Sequence, residues 1–355
     1  MDFGFVFMGD VHIHGDVKYA ENKGFSHAWL YDSQMLGSEV YASLALCADR
    51  TDKIILGPGV TNPKSRIAPL SACGMATINS IAPGRVVMGI GTGNTTRRTM
   101  GMPAAKVAEL EDHIRVCKGL FNGKIVDYSE GDRHRKIKFL NPDLNYYNIK
   151  DEIPIYIAAS GPKVARMAGR IADGVILFGA VHPTLVKWMV DNVRQGAEEA
   201  GKNPEDVYVL SMTAFYLTST SNDIETREVR EAVGPMVASS SNIFALSCHQ
   251  NPDLLPEELR EELVGFTGVY KEPNEPVETR HLKLYSGYLQ HLRDEHEALM
   301  TKKIIQATTL TGTKTEVLEM IKQMREAGVD QVAIQPIRPT REVVDQVAAE
   351  IMPHF

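Results

Sequence analysis

The chain has 355 residues, a formal net charge of −7 and a hydrophobic content of 43%, which is enough for a sizeable core in one large domain or two. Its Lys and Arg residues are scattered, so it carries no global polyanion-binding signature and nucleic acid is not an expected partner. The first residues hold neither a basic segment nor an apolar run of membrane-spanning length, so the expectation is no membrane association and a cytoplasmic location.

Residues 4–8 read as a first strand, followed by Gly9-Asp10-Val11-His12-Ile13-His14. A helical pattern over 17–23, stopped by Gly24, leads to a second strand over 27–31 that ends in Asp32-Ser33. Helical residues 38–49 precede a third strand at 54–56, which runs into Gly57-Pro58-Gly59-Val60-Thr61-Asn62-Pro63. A helix over 68–81 and a fourth strand over 85–90 follow, the strand ending in Gly91-Thr92-Gly93-Asn94. Residues 104–121 form an amphipathic helix pattern with Leu110, Ile114 and Cys117 inward. From 122 to 150 the periodicity fails, and a hairpin or irregular excursion is expected.

Residues 153–178 make a strand-helix-strand unit and so imply a parallel sheet. Its Ser160-Gly161-Pro162-Lys163 turn places Pro162 in the first helical turn and Ser160 or Gly161 at the cap. The backbone N–H groups there, with Lys163 beside them, form a candidate phosphate cradle, although such a turn also occurs empty in α/β proteins. A helix over 183–200 and a seventh strand over 207–217 come next. Residues from about 233 to 302 match no single β-α unit; helical patterns at 256–264 and 277–299 flank a turn-rich stretch containing Glu272-Pro273. After Thr311-Gly312-Thr313 a helix over 314–327, a strand over 331–334 and a helix over 341–351 close the chain.

Eight alternating units predict an α/β fold, a (β/α)8 TIM-like barrel with an insertion before the last β-α unit, organised as a single domain over 1–355. In such a barrel function sits at the C-terminal ends of the strands. The candidates there are His12 and His14, Asp32 and Ser33, Gly59 to Asn62, Thr92 to Asn94, Ser160 to Lys163, Gly179 to His182, and Gln335. His12 and His14, two apart at a strand end, would face one side and could act as acid, base or substrate contact, or simply belong to a polar loop. Cys47, Cys73, Cys117 and Cys248 are far apart, and the first three lie in apolar helical patterns where buried thiols are expected, in keeping with a reducing compartment.

The motifs Trp29-Leu30-Tyr31-Asp32-Ser33, Leu56 to Pro63, Ala82 to Asn94, Ser160-Gly161-Pro162-Lys163 and Ala172-Asp173-Gly174-Val175-Ile176, in this order and spacing, resemble the bacterial luciferase-like flavin-dependent oxidoreductases. Within that superfamily the chain is most similar to the branch that includes methylenetetrahydromethanopterin reductase, which uses the deazaflavin F420. The resemblance implies a barrel, a homodimer, and FMN or F420 at the C-terminal face. Carried over by motif, Ser160, Gly161, Pro162 and Lys163 would hold the cofactor phosphate. Gly59-Val60 would form a non-prolyl cis peptide against the ring, with Asn62 nearby, and Thr92, Gly93 and Asn94 would line the other side. Where many relatives have Asp-His after strand two, this chain has Asp32-Ser33, so Asp32 keeps a candidate catalytic role without the usual His.

Other patterns weigh less. Gly89-x-Gly91-x-Gly93 has its third Gly one position early for a dinucleotide fingerprint. No zinc-binding spacing is present, so no metal is expected. Arg97 and Arg98 could meet phosphate or remain solvated. The run Arg133-His134-Arg135-Lys136-Ile137-Lys138 could dock an anionic cofactor tail or a partner reductase, or be an exposed hairpin. Ser239-Ser240-Ser241-Asn242, His249, Tyr285 and Tyr288 belong to a lid or to extra packing. The first functional reading is a monooxygenase acting on a small organic substrate with O2 and reduced FMN, supplied by a separate flavin reductase. The alternatives are an F420-dependent hydride-transferring reductase or dehydrogenase, and a non-catalytic flavin-binding barrel.

Overall fold

The computed structural model describes residues 1–271, 274–336 and 340–355; the Glu272-Pro273 turn expected above lies outside them. Among the described residues the strands are β1 (Asp2–Phe7), β2 (His27–Leu30), β3 (Ile55–Pro58), β4 (Met88–Ile90), β5 (Val126–Glu130), β6 (Arg133–Ile137), β7 (Ile155–Ala159), β8 (Gly174–Phe178), β9 (Tyr208–Thr213), β10 (Phe215–Leu217), β11 (Leu310–Gly312) and β12 (Gln331–Ile334). Eight of them share one sheet in the order β3-β2-β1-β12-β9-β8-β7-β4. Isolated parallel bridges Leu56↔Val86 and Thr61↔Ile90 join its two edges. The hydrogen bonding therefore returns to its start, which is the (β/α)8 class that the alternation predicts.

The chain forms two compact units, one of residues 7–21 and 26–157, the other of residues 1–6, 22–25 and 158–355. In the first unit β2 pairs β3 and β4 pairs β7, all parallel. Trp29, Leu30, Leu56, Met88 and Ile90 are fully buried there, each removing on the order of 1.5–3 kcal/mol worth of apolar surface from water. Gly57 is required by this packing, because a Cβ on it would come 2.4 Å from the Val87 carbonyl oxygen and 2.9 Å from the Trp29 ring. The excursion after the helix Val107–Phe121 is the antiparallel hairpin β5–β6.

In the second unit β1 pairs β12, β12 pairs β9 and β9 pairs β8, again in parallel register. The helix Pro162–Ile171 begins with Pro162 after Gly161, as its sequence predicts. Thr313 and Glu316 form a reciprocal capping box at the start of Lys314–Glu326. The stretch read as one seventh strand is interrupted at Ala214, and its end, β10, pairs β11 in a separate two-stranded sheet.

Two helical expectations are corrected. Residues 227–247 form one helix, Arg227–Ser247, across the start of the region that matches no single β-α unit, where no helix is expected before 256; Pro235 in its interior and the polar run 239–242 hide its period. The helix expected over 277–299 is only Arg280–Leu284 and a 3-10 turn Asp294–Leu299. Gly287 and Leu289 between them take left-handed backbone (φ +68° and +60°), which an α-helix cannot accommodate. Cys47, Cys117 and Cys248 are buried, whereas Cys73 is exposed, contrary to expectation. It lies on the outward stripe of the helix Ala68–Ile81 with Leu70 and Thr77. Among the described residues no helix is long and apolar enough to cross a membrane.

Candidate functional site

In the first unit the site is organised by Asp32, just past the end of β2 and only 3% exposed. Its Oδ2 accepts from Thr61 Oγ1 at 2.7 Å and from Arg66 Nη1 at 2.6 Å. Its backbone carbonyl accepts from Thr96 Oγ1 at 2.6 Å. Arg66 also reaches Glu39 and lies over the Tyr41 ring, 4.4 Å from its centroid. A buried carboxylate needs such partners, because unpaired burial of charge is costly. One residue thereby ties the loop after β3 to the short helix after β4.

These two segments carry most of the expected cofactor-binding residues. Gly59 N–H donates to Leu30 O at 2.7 Å, and the Gly59–Val60 peptide is cis. Thr61 is joined to β4 through Thr61 N–H to Gly89 O and Gly91 N–H to Thr61 O, at 3.0 and 2.9 Å. Asn62 is fully buried, and its amide is engaged in its own turn: Oδ1 accepts from the N–H groups of Lys64 and Ser65, and Nδ2 donates to Ser65 Oγ. Gly93 has φ +77°, and a Cβ there would come 2.7 Å from Asn62. The glycine thus lets the two loops approach. Thr92 O accepts from Ala105 N–H at 2.8 Å, and Asn94 starts the next helix with a buried Oδ1 that has no partner among the described residues.

In the second unit the Ser160–Lys163 turn follows β7. Gly161 is buried and Lys163 is exposed. Ser247, at the end of the helix Arg227–Ser247, donates from Oγ to Ser160 O at 2.8 Å, and a Cβ on Gly161 would come 2.8 Å from its Cβ. The turn is thus braced from behind by a residue that no sequence pattern marked. Gln335, just past β12, is buried, and its Oε1 has no partner among the described residues.

A family model described as luciferase-like monooxygenase matches residues 14–331. The chain belongs to that family. This luciferase-like protein is 30% identical over 354 residues to 5,10-methylenetetrahydromethanopterin reductase of Methanopyrus kandleri, covering 96% of this chain and 93% of that enzyme. It is 33% identical over 205 residues to F420-dependent glucose-6-phosphate dehydrogenase of Nakamurella multipartita, covering 54% of this chain and 59% of that enzyme. The solved structure of the coenzyme F420 dependent tetrahydromethanopterin reductase from Methanopyrus kandleri aligns with a TM-score of 0.69 at 24% identity, covering 100% of this chain and 99% of that one. The luciferase-like fold and its oxidoreductase family are thereby fixed.

Other expected residues of this luciferase-like chain lie elsewhere. His12 and His14 do not share a strand face: β1 ends at Phe7, His12 is exposed in a turn built on Asp10, and His14 opens the helix His14–Asn22. Arg97 is half-buried and donates from Nε to Pro103 O, while Arg98 is exposed. In the basic hairpin Lys136 pairs with Asp127 and Ser129 Oγ meets His134 Nδ1, all exposed. His182 caps the helix Pro183–Glu199 through Thr184 N–H. Arg66 and Ser247 were missed because each acts on a partner 34 or 87 positions away, a separation on which local pattern is silent.

Proposed function

We propose that this protein is an F420-dependent oxidoreductase transferring hydride to or from a small organic substrate. The observation that carries the reading is the near full-length similarity to a methylenetetrahydromethanopterin reductase, joined by a partial match to an F420-dependent dehydrogenase. The monooxygenase reading shares the family name, whereas hydride transfer requires no separate flavin reductase.

The residues present fit such a group. Asn94 Oδ1 is a buried acceptor in want of a donor, as an N–H of a heterocyclic ring would supply. Gly161 opens a ten-residue helix with Lys163 in its first turn, and both suit an anionic phosphate. Bound F420 would supply a two-electron hydride carrier. The protein's part is to hold and orient: Asp32, already accepting two hydrogen bonds, fixes the loops at 59–66 and 92–98 and is a positioning residue rather than a proton donor.

Anaerobic fluorescence titration of the purified protein with F420 and, separately, with reduced FMN tests this reading. Selective F420 binding in the micromolar range or tighter is expected. Selective binding of FMN, with oxygen consumed once air is admitted, overturns it in favour of the monooxygenase.

A further inference from the structure

A groove of about 880 Å³ lies on the second unit, lined by the helix Pro183–Glu199, the end of the helix Lys314–Glu326 and insertion residues 253–257 and 260. No strand residue lines it, so it is separate from the candidate site at the strand ends. Thr184, Lys187, Trp188 and Asp191 share one helix face by their spacing and present it over about 10 Å. The walls are held in place. Glu258 Oε2 accepts from Thr184 Oγ1 at 2.8 Å and Glu258 O accepts from Lys303 Nζ at 2.6 Å, which fastens the insertion to the helix. The half-buried Trp188 ring packs on the fully buried Phe244, with centroids 6.5 Å apart. An occupant would therefore meet a surface that needs little ordering.

The charges of the groove do not balance. Lys187 Nζ reaches both carboxylate oxygens of Asp191, at 2.9 and 2.7 Å. Arg260 turns onto its own loop, donating to Asp253 O and Leu255 O at 3.2 and 3.3 Å and standing 3.4 Å from Asp253 Oδ1. Both cations are thus taken, whereas Glu257 and Glu326, exposed on different walls, have no cationic partner among the described residues. Leu254, 47% exposed, lines the same groove. A lone exposed leucine is ordinary, but one that shares a groove with a fixed tryptophan and unpaired charge of one sign has the make-up of an interface, apolar anchors with a polar rim.

We propose that this groove docks a short basic, amphipathic segment of a partner protein, an apolar side chain covering Trp188 and Leu254 and Lys or Arg side chains meeting Glu257 and Glu326. The inference goes beyond the hydride-transfer reading and stands without it. Charge complementarity selects the occupant, since an acidic segment would add like charge to the two carboxylates. A chain segment brings apolar and cationic groups together along the length of the groove, which a small amine does not.

The chain has two tryptophans, and Trp29 is 1% exposed in the core of the first unit, so a ligand that changes tryptophan emission reports on Trp188. The full chain is titrated with a synthetic peptide of alternating leucine and lysine, with the same peptide carrying glutamate for lysine, and with spermidine. The lysine peptide is expected to change the emission saturably. Its affinity should fall about tenfold or more in the double variant Glu257→Gln with Glu326→Gln, and severalfold in Leu254→Ala. Asp132→Asn with Glu152→Gln removes as much charge from exposed sites of the first unit and should leave the affinity unchanged. All five side chains are exposed, so the Tm of every variant should stay level. No binding of the lysine peptide overturns the proposal, as does equal loss in the two double variants, which would reduce the effect to net charge. Equally tight binding of the glutamate peptide removes the charge argument, and equally tight binding of spermidine makes the groove a site for small amines; either result also overturns it.

Discussion

Thr61 Oγ1 donates to Asp32 Oδ2 at 2.7 Å, onto the same oxygen that takes Arg66 Nη1 at 2.6 Å. With Asp32 3% exposed and the Arg66 side chain 16% exposed, this is a buried ion pair with a neutral third partner. Removing Asp32 still leaves Arg66 paired with Glu39, whereas removing Arg66 leaves the buried Asp32 carboxylate with neutral partners only. Arg66→Ala should therefore destabilise the protein by about 3–5 kcal/mol, read from urea unfolding. A loss under about 1 kcal/mol, the range of an exposed pair, would contradict the burial argument.

Gly93 and Gly161 are both crowded, but for different reasons, and their alanine variants should separate accordingly. Gly161 has φ −157°, extended backbone open to any residue, and its obstacle is the Ser247 side chain. Gly161→Ala should cost about 1–3 kcal/mol by overpacking, and adding Ser247→Gly should recover most of it. At Gly93 the backbone itself is left-handed, so Gly93→Ala should cost about 1–2 kcal/mol from φ alone and more from Asn62. Asn62→Gly should relieve only the second part. Equal rescue in the two double variants would refute the distinction.

The eight sheet strands were legible because each is a short apolar run between turn residues, and the Ser160–Lys163 turn because proline and glycine mark a helix start. The helix Arg227–Ser247 was not. Its serines at 239–241, read as part of a lid or of extra packing, carry no apolar period, and Ser240 becomes interior where Gly179 leaves room for it. His12 and His14 erred the other way: a spacing of two means one face only while the strand lasts, and β1 stops five residues before His12. The groups that organise the candidate site, Arg66 on Asp32 and Ser247 on Ser160, are tertiary pairings without a local signature.

His113 gives a pH prediction. Burial holds its imidazole well below the ordinary value, at about 4, with Asp112 opposing weakly, and its Nε2 is buried without a partner among the described residues. The ring is thus neutral in the folded protein while the unfolded chain takes up a proton near 6.5. A depressed folded pKa contributes stability that is fully present above about pH 6.5 and is lost as pH falls towards 4, on the order of 3 kcal/mol in all. His113→Leu should remove that part of the acid limb. Chemical-denaturation midpoints at a series of pH values check it, and an unchanged slope in the variant between these limits would exclude His113 as its source.

Lys163 tests the phosphate cradle through a split between stability and binding. Its ammonium sits exposed in the first turn of Pro162–Ile171, where the helix dipole disfavours a cation by about 0.3–1 kcal/mol. Lys163→Ala should therefore leave the ligand-free protein as stable as before or slightly more so. If the turn holds the cofactor phosphate, the same change removes a charge-assisted contact worth about 1.5–3 kcal/mol, so F420 affinity should fall roughly ten- to a hundredfold. The remaining affinity should depend less steeply on salt, because one screened charge pair is gone. Lys163→Arg should keep both the affinity and the salt slope. Loss of stability without loss of affinity would instead make Lys163 a structural residue and take the phosphate away from this turn.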